Sequence, residues 1–272
     1  MCRCDRTYKL QKVFEDTMFR ISAEEKLADA TRQMIEDTQV YVQELKPIDK
    51  VKRSSDYNIR VVEDTAFNCA RKRSSLGKVA VLNFANAYHP GGGVARGALA
   101  QEECLCRSSN LYAGLVCNLM QDQYYNRNKQ LCDAHGSDSI AYHPGVVVFK
   151  DDELYPNMLD EKDWCRVDVI TCAAPNLRNE IVVSEEEIYE LHVNRGRRII
   201  EAGIANQAEI LILGAFGCGA FCNDPRIVAS AYKYLLIEEG YAECFKEVIF
   251  AIKKDQNDEK GNCYWFKKVL EL

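Results

Sequence analysis

Short apolar runs recur along the chain, separated by longer stretches with helical periodicity. The runs span residues 79–84, 145–149, 167–172, 209–214 and 247–252, a length typical of buried strands. Between them, apolar side chains recur three or four positions apart over residues 185–206 and 225–239. This alternation predicts an α/β fold in which helices cover both faces of a mixed central sheet.

The first quarter of the chain carries weaker patterns. Ser22 and Glu25 have the spacing of a capping box, which predicts that a helix begins there. One face of that helix would carry Leu27, Thr31, Met34 and Ile35. We further predict a loop over residues 46–57, a strand over 58–63 and a helix over 64–73.

Three of the predicted strands run directly into loops of small or loop-forming residues. Gly91, Gly92 and Gly93 follow the strand at 79–84, and a second glycine-rich segment, residues 214–221, follows the strand at 209–214. Residues 173–176 read Ala-Ala-Pro-Asn and follow the strand at 167–172. Ligands of open α/β sheets bind at the carboxyl ends of the strands, so these loops are candidates for one binding site.

Glycines let backbone N–H groups approach a ligand closely, and clusters of such groups bind phosphate. Two glycine-rich loops after two buried strands therefore favour a diphosphate site over the alternative, which is that the glycines only form tight turns. The chain has neither the Gly-Lys-Ser/Thr of a P-loop nor the Gly-x-Gly-x-x-Gly of a dinucleotide-binding fold at these places.

An acidic pair follows the first glycine loop. Gln101, Glu102 and Glu103 open a predicted helix over residues 101–111. Neighbouring helical residues point about 100° apart, so the two glutamates are not an equivalent facing pair. A carboxyl group near an anomeric carbon can protonate a departing oxygen and then activate water. The alternative interpretation of Glu102 and Glu103 is a solvated helix face.

Composition narrows the function classes further. The net charge of −6 argues against a general nucleic-acid binder, and no apolar run is long enough to span a membrane. The first twenty residues lack a signal-peptide core, so we expect a cytoplasmic protein. The 13 cysteines and four histidines form no metal-ligand spacing, so we expect reduced, mostly buried thiols and no metal or organic cofactor. Cys2 and Cys4 form a weaker metal or redox candidate.

The glycine and acidic motifs together resemble the poly(ADP-ribose) glycohydrolases, specifically the compact bacterial-type branch of that macrodomain-related family. The family pattern is three glycines, six to eight residues, then Gln-Glu-Glu, and here seven residues separate Gly93 from Gln101. The flanking segments 82–86 and 106–112 resemble the family, as do 171–176 and 214–221. The resemblance covers roughly residues 58 to 255, and the loop between the two motifs, which contains Arg96, varies most.

The resemblance implies a macrodomain-like, three-layer α/β/α fold, with an N-terminal helical extension of residues 1–57 on a catalytic core of residues 58–272. It implies hydrolysis of ribose–ribose O-glycosidic bonds in ADP-ribose polymers, with ADP-ribose as the product. Glu103 would be the general acid/base, and Glu102 and Asn86 would hold the ribose at the scissile bond. The remaining ligand-binding residues it implies are Gly91, Gly92, Gly93, Gln101, Gly217, Cys218, Gly219, Ala220 and Phe221.

Three alternatives remain open at the level of sequence. The same pocket could remove single ADP-ribose units from macromolecules, or it could bind ADP-ribose without cleaving it. The chain could also be a nucleotide-binding protein unrelated to ADP-ribose. The intact Gln101-Glu102-Glu103 argues against a pure binding module, because a protein that only binds ADP-ribose needs no general acid.

Overall fold

The computed structural model of the protein describes residues 3–43, 45, 57–131, 135–178, 183–253 and 260–272. These residues form one sheet of seven strands in the order β1-β4-β5-β3-β6-β7-β2. The pairs β1/β4 and β4/β5 are antiparallel, and the remaining neighbours are parallel. The predicted mixed sheet is therefore confirmed. The strands are β1 Gln39–Tyr41, β2 Asn58–Val62, β3 Val79–Ala85, β4 Ile140–Val148, β5 Cys165–Ala173, β6 Ile210–Leu213 and β7 Glu247–Ala251.

Helices cover both faces of this sheet. They are α1 Arg3–Ala23, α2 Glu25–Asp37, α3 Ala66–Arg71, α4 Gln101–Ser108, α5 Leu111–Leu115, α6 Asn118–Met120, α7 Asn126–Leu131, α8 Glu185–Ala205, α9 Pro225–Lys233 and α10 Asn262–Leu270. Helices α8, α9 and α10 pack on one face, and α1 to α5 contribute to the core on the other. Side chains of β3 alternate between the two cores, since Ala80 and Leu82 face the first while Val79 and Val81 face the second.

The five apolar runs all lie on strands, and β4 is longer than its apolar run. It begins at Ile140, whereas the run begins at residue 145. The register of β4 against β5 shifts between His143 and Val146, and Gly145 there has a φ of +68°. Pro144 and Gly145 thus form a bulge within the strand, which interrupts the pattern but not the pairing.

Two sequence predictions near helix ends are wrong. Ser22 does not cap a helix, because α1 runs to Ala23 and the Ser22 hydroxyl donates to the carbonyl oxygen of Phe19 inside the last turn of α1. Glu24 occupies the N-cap of α2 without a side-chain capping bond. The helix predicted over 101–111 ends at Ser108, because Ser109 is extended and bridges to Val148.

The outcomes of the other predictions for the N-terminal part are as follows. Leu27, Thr31 and Met34 of α2 are buried as expected, and Ile35 is half-buried. The strand predicted over 58–63 is β2, and the helix over 64–73 is the shorter α3. Residues 46–56 of the predicted loop lie outside the described residues. The segment 1–57 is not purely helical, since β1 pairs with β4 at the sheet edge. The division at residue 57 stays a prediction.

The carboxyl ends of β3, β5, β6 and β7 meet at one edge of the sheet, because these four strands are parallel. The three loops of small residues identified in the sequence follow β3, β5 and β6. The fold thus brings them to one place, as predicted from the position of ligand sites in open α/β sheets.

Candidate active site

A cavity of about 740 Å³ lies at this edge of the sheet. The loops after β3 and β6 contribute to it, as do the first turn of α4 and the ends of β5 and β7. Most of the site residues expected from the sequence line it: Asn86, Gly92, Gly93, Gln101, Glu102, Glu103, Gly217, Gly219, Ala220 and Phe221. Gly91 and Cys218 are not among the lining residues.

The first glycine loop folds directly over the acidic pair. Gly92 has a φ of +57°, and a Cβ added there would lie 2.5 Å from Glu103 Oε1 and 3.2 Å from Glu102 Oε2. Only glycine fits this position, since any side chain would displace the glutamates and adopt a left-handed conformation. Gly91 supports the turn from behind, where an added Cβ would lie 2.7 Å from the ring of Tyr112.

Asn86 organises the start of the same loop. Its Oδ1 accepts hydrogen bonds from the backbone N–H groups of Tyr88 and His89, both at 2.9 Å. This is a local turn of the kind that asparagine side chains commonly form. Because Oδ1 is engaged, the side-chain NH2 group of Asn86 is the part available to a ligand. His89 itself is exposed and does not line the cavity.

Gln101 attaches the start of α4 to β3. Its Oε1 accepts from the N–H of Phe84 at 2.9 Å, and its Nε2 donates to the carbonyl oxygen of Leu82 at 2.7 Å. The carboxamide thereby pairs with the strand backbone as a neighbouring strand would. This arrangement fixes the two glutamates relative to the sheet.

Glu103 is held by two backbone N–H groups. Gly93 N donates to its Oε1 at 2.8 Å, and Ala100 N, at the N-cap of α4, donates to its Oε2 at 3.1 Å. The side chain is 7% exposed and lines the cavity. These two hydrogen bonds link the glycine loop to the helix start through a single carboxyl group, so its position depends on both segments.

Glu102 is more deeply placed, at 3% exposure. Its Oε2 accepts from the N–H of Asn86 at 2.9 Å, and its Oε1 lies 3.4 Å from the Nδ2 of buried Asn83. Burial raises the pKa of Glu102 to about 8, and the charge of Glu103 acts in the same direction, while the Asn86 hydrogen bond opposes it. Sequence reasoning treated the pair as pointing apart, yet both carboxyl groups line the cavity because the glycine loop wraps around them.

The second glycine loop is held from inside by Asn223, which sequence analysis missed. Its Nδ2 donates to the carbonyl oxygens of Pro175 and Gly217 at 2.8 and 3.1 Å, and its Oδ1 contacts His192 Nε2 at 2.8 Å. Gly217 has a φ of +78°, and a Cβ there would meet Asn223 at 2.5 Å. In the sequence, the only sign of this role is that Asn223 follows the loop and directly precedes Asp224, which caps α9.

Cys218 does not present its side chain to the cavity. The thiol packs against the core beneath α8 and α9, and its Sγ lies 3.7 Å from the carbonyl oxygen of Phe216. Burial raises the pKa of this thiol. Of the other cysteines, Cys104 does line the cavity, where its Sγ lies 3.6 Å from Arg107 Nη2.

The cavity carries cations that sequence analysis did not assign. Arg96, Arg178 and Lys253 line it, together with the carboxyl groups of Asp64, Asp152 and Glu153. Asp64 pairs with Lys72, and Asp152 accepts from the N–H of Phe67 at the start of α3. Arg178 lies 5.7 Å from the ring of Phe221 and donates to the carbonyl oxygen of Ala220. Its place after the 173–176 loop is the signal that could have identified it.

Within the described residues, no group of three or more His, Cys, Asp or Glu side chains is arranged to hold a metal ion. Cys4 is exposed, and Cys2 lies outside the described residues. No described helix is both long and apolar enough to cross a membrane.

Comparison with known proteins places this fold and site in a family. The sequence model of the family described as microbial-type PARG, catalytic domain, matches residues 10–151, just over half of the chain. A search of curated proteins found no significant match.

Solved structures extend the match to almost the whole chain. The poly(ADP-ribose) glycohydrolase (PARG) from Thermomonospora curvata is 30% identical with a TM-score of 0.83, covering 96% of this chain and 99% of that one. Bound to the inhibitor ADP-HPD, that glycohydrolase aligns at 32% identity, with a TM-score of 0.82 and the same coverage. The PARG from Deinococcus radiodurans in complex with ADP-ribose is 31% identical with a TM-score of 0.76, covering 89% and 96%. The chain therefore belongs to the microbial-type poly(ADP-ribose) glycohydrolase family, with its macrodomain-like fold, and is a glycohydrolase.

Proposed function

We propose that this glycohydrolase cleaves ribose–ribose O-glycosidic bonds of poly(ADP-ribose), releases ADP-ribose, and uses Glu103 as its general acid/base. The observation that carries the proposal is the position of Glu103. Its carboxyl group is buried, faces the cavity, and is fixed between the glycine loop and the start of α4 by two backbone N–H groups. A general acid needs this kind of fixed geometry.

The proposed chemistry requires one proton at the acidic pair. In this scheme that proton is on Glu103, next to the buried Glu102, when the substrate binds. Glu103 gives a proton to the departing ribose oxygen as the C–O bond to the anomeric carbon breaks. It then takes a proton from the water that attacks that carbon, which restores the starting state.

The remaining site residues bind the substrate in this proposal. Glu102 and the NH2 group of Asn86 hold hydroxyls of the ribose at the scissile bond. Backbone N–H groups of the glycine loop and of residues 217–221 surround the diphosphate, with Phe221 beside the ligand. Cys218 contributes through its backbone, since its thiol packs in the core. Gln101 supports the site from β3, because its carboxamide already pairs with Leu82 and Phe84.

Replacing the general acid tests this proposal. We expect Glu103→Gln to lower polymer hydrolysis by about a thousandfold or more, since acid/base catalysis contributes roughly 10²–10⁴-fold. Calorimetric affinity for ADP-ribose should change little. A Gln amide would point an NH2 group at Gly93 N or Ala100 N, so Glu103→Ala should be measured beside it.

Glu36→Gln, an exposed change on α2, is the control with the same loss of charge. Full polymer hydrolysis by folded Glu103→Gln and Glu103→Ala would contradict the assignment of Glu103. Wild-type protein that cleaves only mono-ADP-ribosylated peptide would show a different specificity of the same pocket. Wild-type protein that binds ADP-ribose without releasing product from either substrate would show a binding module.

A further inference from the structure

Arg96 lies beside the acidic pair and forms no ion pair with any described residue. Its Nη2 is 3.8 Å from the position that a Cβ on Gly93 would occupy, and Glu103 Oε1 is 3.6 Å from that same position. The side chain is exposed and lines the cavity. Among the described residues, no carboxylate comes within ion-pairing distance of it, although many other basic side chains of this acidic protein are paired.

The backbone that carries Arg96 is fixed on both sides by α1. Gln11 Nε2 donates to the carbonyl oxygen of Ala95 at 3.2 Å. Gly97 has a φ of +71°, and a Cβ there would lie 2.5 Å from the carbonyl oxygen of Thr7. Residues Val94–Arg96 form a single 3₁₀ turn, so the contacts lie at its middle residue and directly after it. The guanidinium therefore projects from a rigid base, which lowers the entropy that a bound anion must overcome.

The other cavity-lining arginine is placed differently. Arg178 is attached to the second glycine loop, where it donates to Ala220 O and covers the ring of Phe221. That loop, together with backbone N–H groups of the first glycine loop, surrounds the proposed diphosphate site of the ADP-ribose unit being released. Arg96 instead lies on the side of Glu103, the residue proposed to protonate the leaving oxygen. In a polymer that oxygen belongs to the adenosine ribose of the next unit, which carries its own diphosphate.

We propose that Arg96 binds the diphosphate of the adjacent ADP-ribose unit, on the leaving-group side of the scissile bond, and thereby favours polymer over substrates that lack this second diphosphate. The inference rests on the proposed function. A guanidinium recognises phosphate oxygens through paired, charge-assisted hydrogen bonds. Because Arg96 is exposed, the contribution should weaken as salt is added.

The test compares two substrates that differ in the second diphosphate and in the ribose that this diphosphate carries. One is di-ADP-ribose, and the other is ADP-ribose joined by the same glycosidic bond to the 2′-hydroxyl of adenosine. Wild type should show a kcat/KM for di-ADP-ribose about fivefold to tenfold higher, consistent with one charge-assisted contact at a solvent-exposed site. Arg96→Gln should lower this ratio to near one, mainly through KM, and leave the calorimetric affinity for ADP-ribose unchanged.

Two further variants separate the possible outcomes. Arg127→Gln removes an exposed positive charge on α7 that does not line the cavity, and should preserve the ratio. Arg178→Gln should weaken the binding of both substrates and of ADP-ribose to the same extent. The inference fails if Arg96→Gln keeps the wild-type ratio of the two kcat/KM values. It also fails if this variant weakens the binding of ADP-ribose as much as that of di-ADP-ribose. Absence of cleavage of both substrates by wild type would instead overturn the proposed function.

Discussion

Two adjacent glutamates of this chain have different surroundings. Glu103 accepts two backbone N–H groups, from Gly93 and Ala100. Glu102 accepts from the backbone N–H groups of Asn86, at 2.9 Å, and Gly91, and has a long contact with Asn83, whose Oδ1 has no hydrogen-bond partner among the described groups. Burial raises the pKa of Glu102 to about 8, although hydrogen bonds from Asn86, Asn83 and Gly91 act in the opposite direction. Residue type alone cannot distinguish the two carboxyl groups.

The raised pKa of Glu102 predicts a pH dependence of stability. The folded state holds the Glu102 proton up to about pH 8, whereas an ordinary glutamate loses it near 4.5. The folded state therefore binds more protons than the unfolded state across this range, and its stability falls as pH rises. Glu102→Gln has no carboxyl group to titrate at this position, so it does not undergo this fall in stability. Relative to wild type, its free energy of unfolding should increase by about 2–4 kcal/mol from pH 5 to pH 8.

Denaturant unfolding of both proteins at several pH values measures the effect, with Glu36→Gln as the exposed control. Any new contact made by the Gln amide shifts stability by a constant amount, so the slope against pH is the informative quantity. A stability difference that does not change with pH would show that the pKa of Glu102 is not raised in the folded protein.

The glycine loop and helix α4 fix the acidic pair only in combination. Gln101 holds the helix start on β3, and Glu103 joins the helix start to Gly93. Gly92 closes the loop over both glutamates at a distance that no Cβ permits. A helix beginning with two acidic residues would otherwise place them in solvent, where the positive end of the helix would stabilise them weakly.

Gly92→Ala tests the close approach within this element. The change combines a left-handed backbone with a clash at Glu103 Oε1, so we expect about 1–3 kcal/mol of destabilisation and a loss of hydrolysis by tenfold or more. Gly240→Ala is the matched control, because Gly240 also has a positive φ, of +74°, but an added Cβ there meets no atom within 4 Å. Gly240→Ala should lower the free energy of unfolding by about 1 kcal/mol and keep full activity per folded molecule. Equal activities of the two folded variants would contradict a steric role for Gly92.

At the scale of the whole molecule, the N-terminal helix α1 supports the active site from the opposite side of the loop. Thr17 Oγ1 donates to the carbonyl oxygen of Arg107, at the end of α4, at 2.6 Å. Lys150, which follows β4 and is 1% exposed, donates to Thr17 and pairs with Asp16 at 2.7 Å. Strand β4, helix α4 and helix α1 thus meet at one polar cluster around the buried ammonium group of Lys150.

The variant Lys150→Met measures how much the contacts of Lys150 with α1 stabilise the fold. Methionine cannot donate to the hydroxyl of Thr17 or the carbonyl oxygen of Val13, whereas Asp16, which is 43% exposed, keeps its pair with Arg20, so we expect a loss of about 1–2 kcal/mol in the free energy of unfolding. Lys9→Met breaks an exposed pair with Asp5 and should change stability by less than about 0.5 kcal/mol. Similar losses for the two variants would show that the buried cluster does not connect α1 to the core.

The sequence by itself determined the layers of this protein and the place of its site. Apolar runs of strand length, separated by amphipathic stretches, leave few arrangements other than helices on both faces of a sheet. Glycine loops after β3 and β6 then meet at the same edge, because parallel strands share their carboxyl ends. The weaker stripe of Leu10, Phe14, Thr17 and Ile21 also marks α1, but charged neighbours obscure it in the pattern.

The tertiary structure decided which atoms face the cavity. Local spacing could not show that Gln101 pairs with β3, that the thiol of Cys218 turns into the core, or that Asn223 holds the second loop. It could not separate Glu102 from Glu103, since burial and hydrogen-bond donors come from segments distant in sequence. Residue spacing fixes where the chain turns, while the environment of each carboxyl group depends on contacts between loops, and those exist only after the chain has packed.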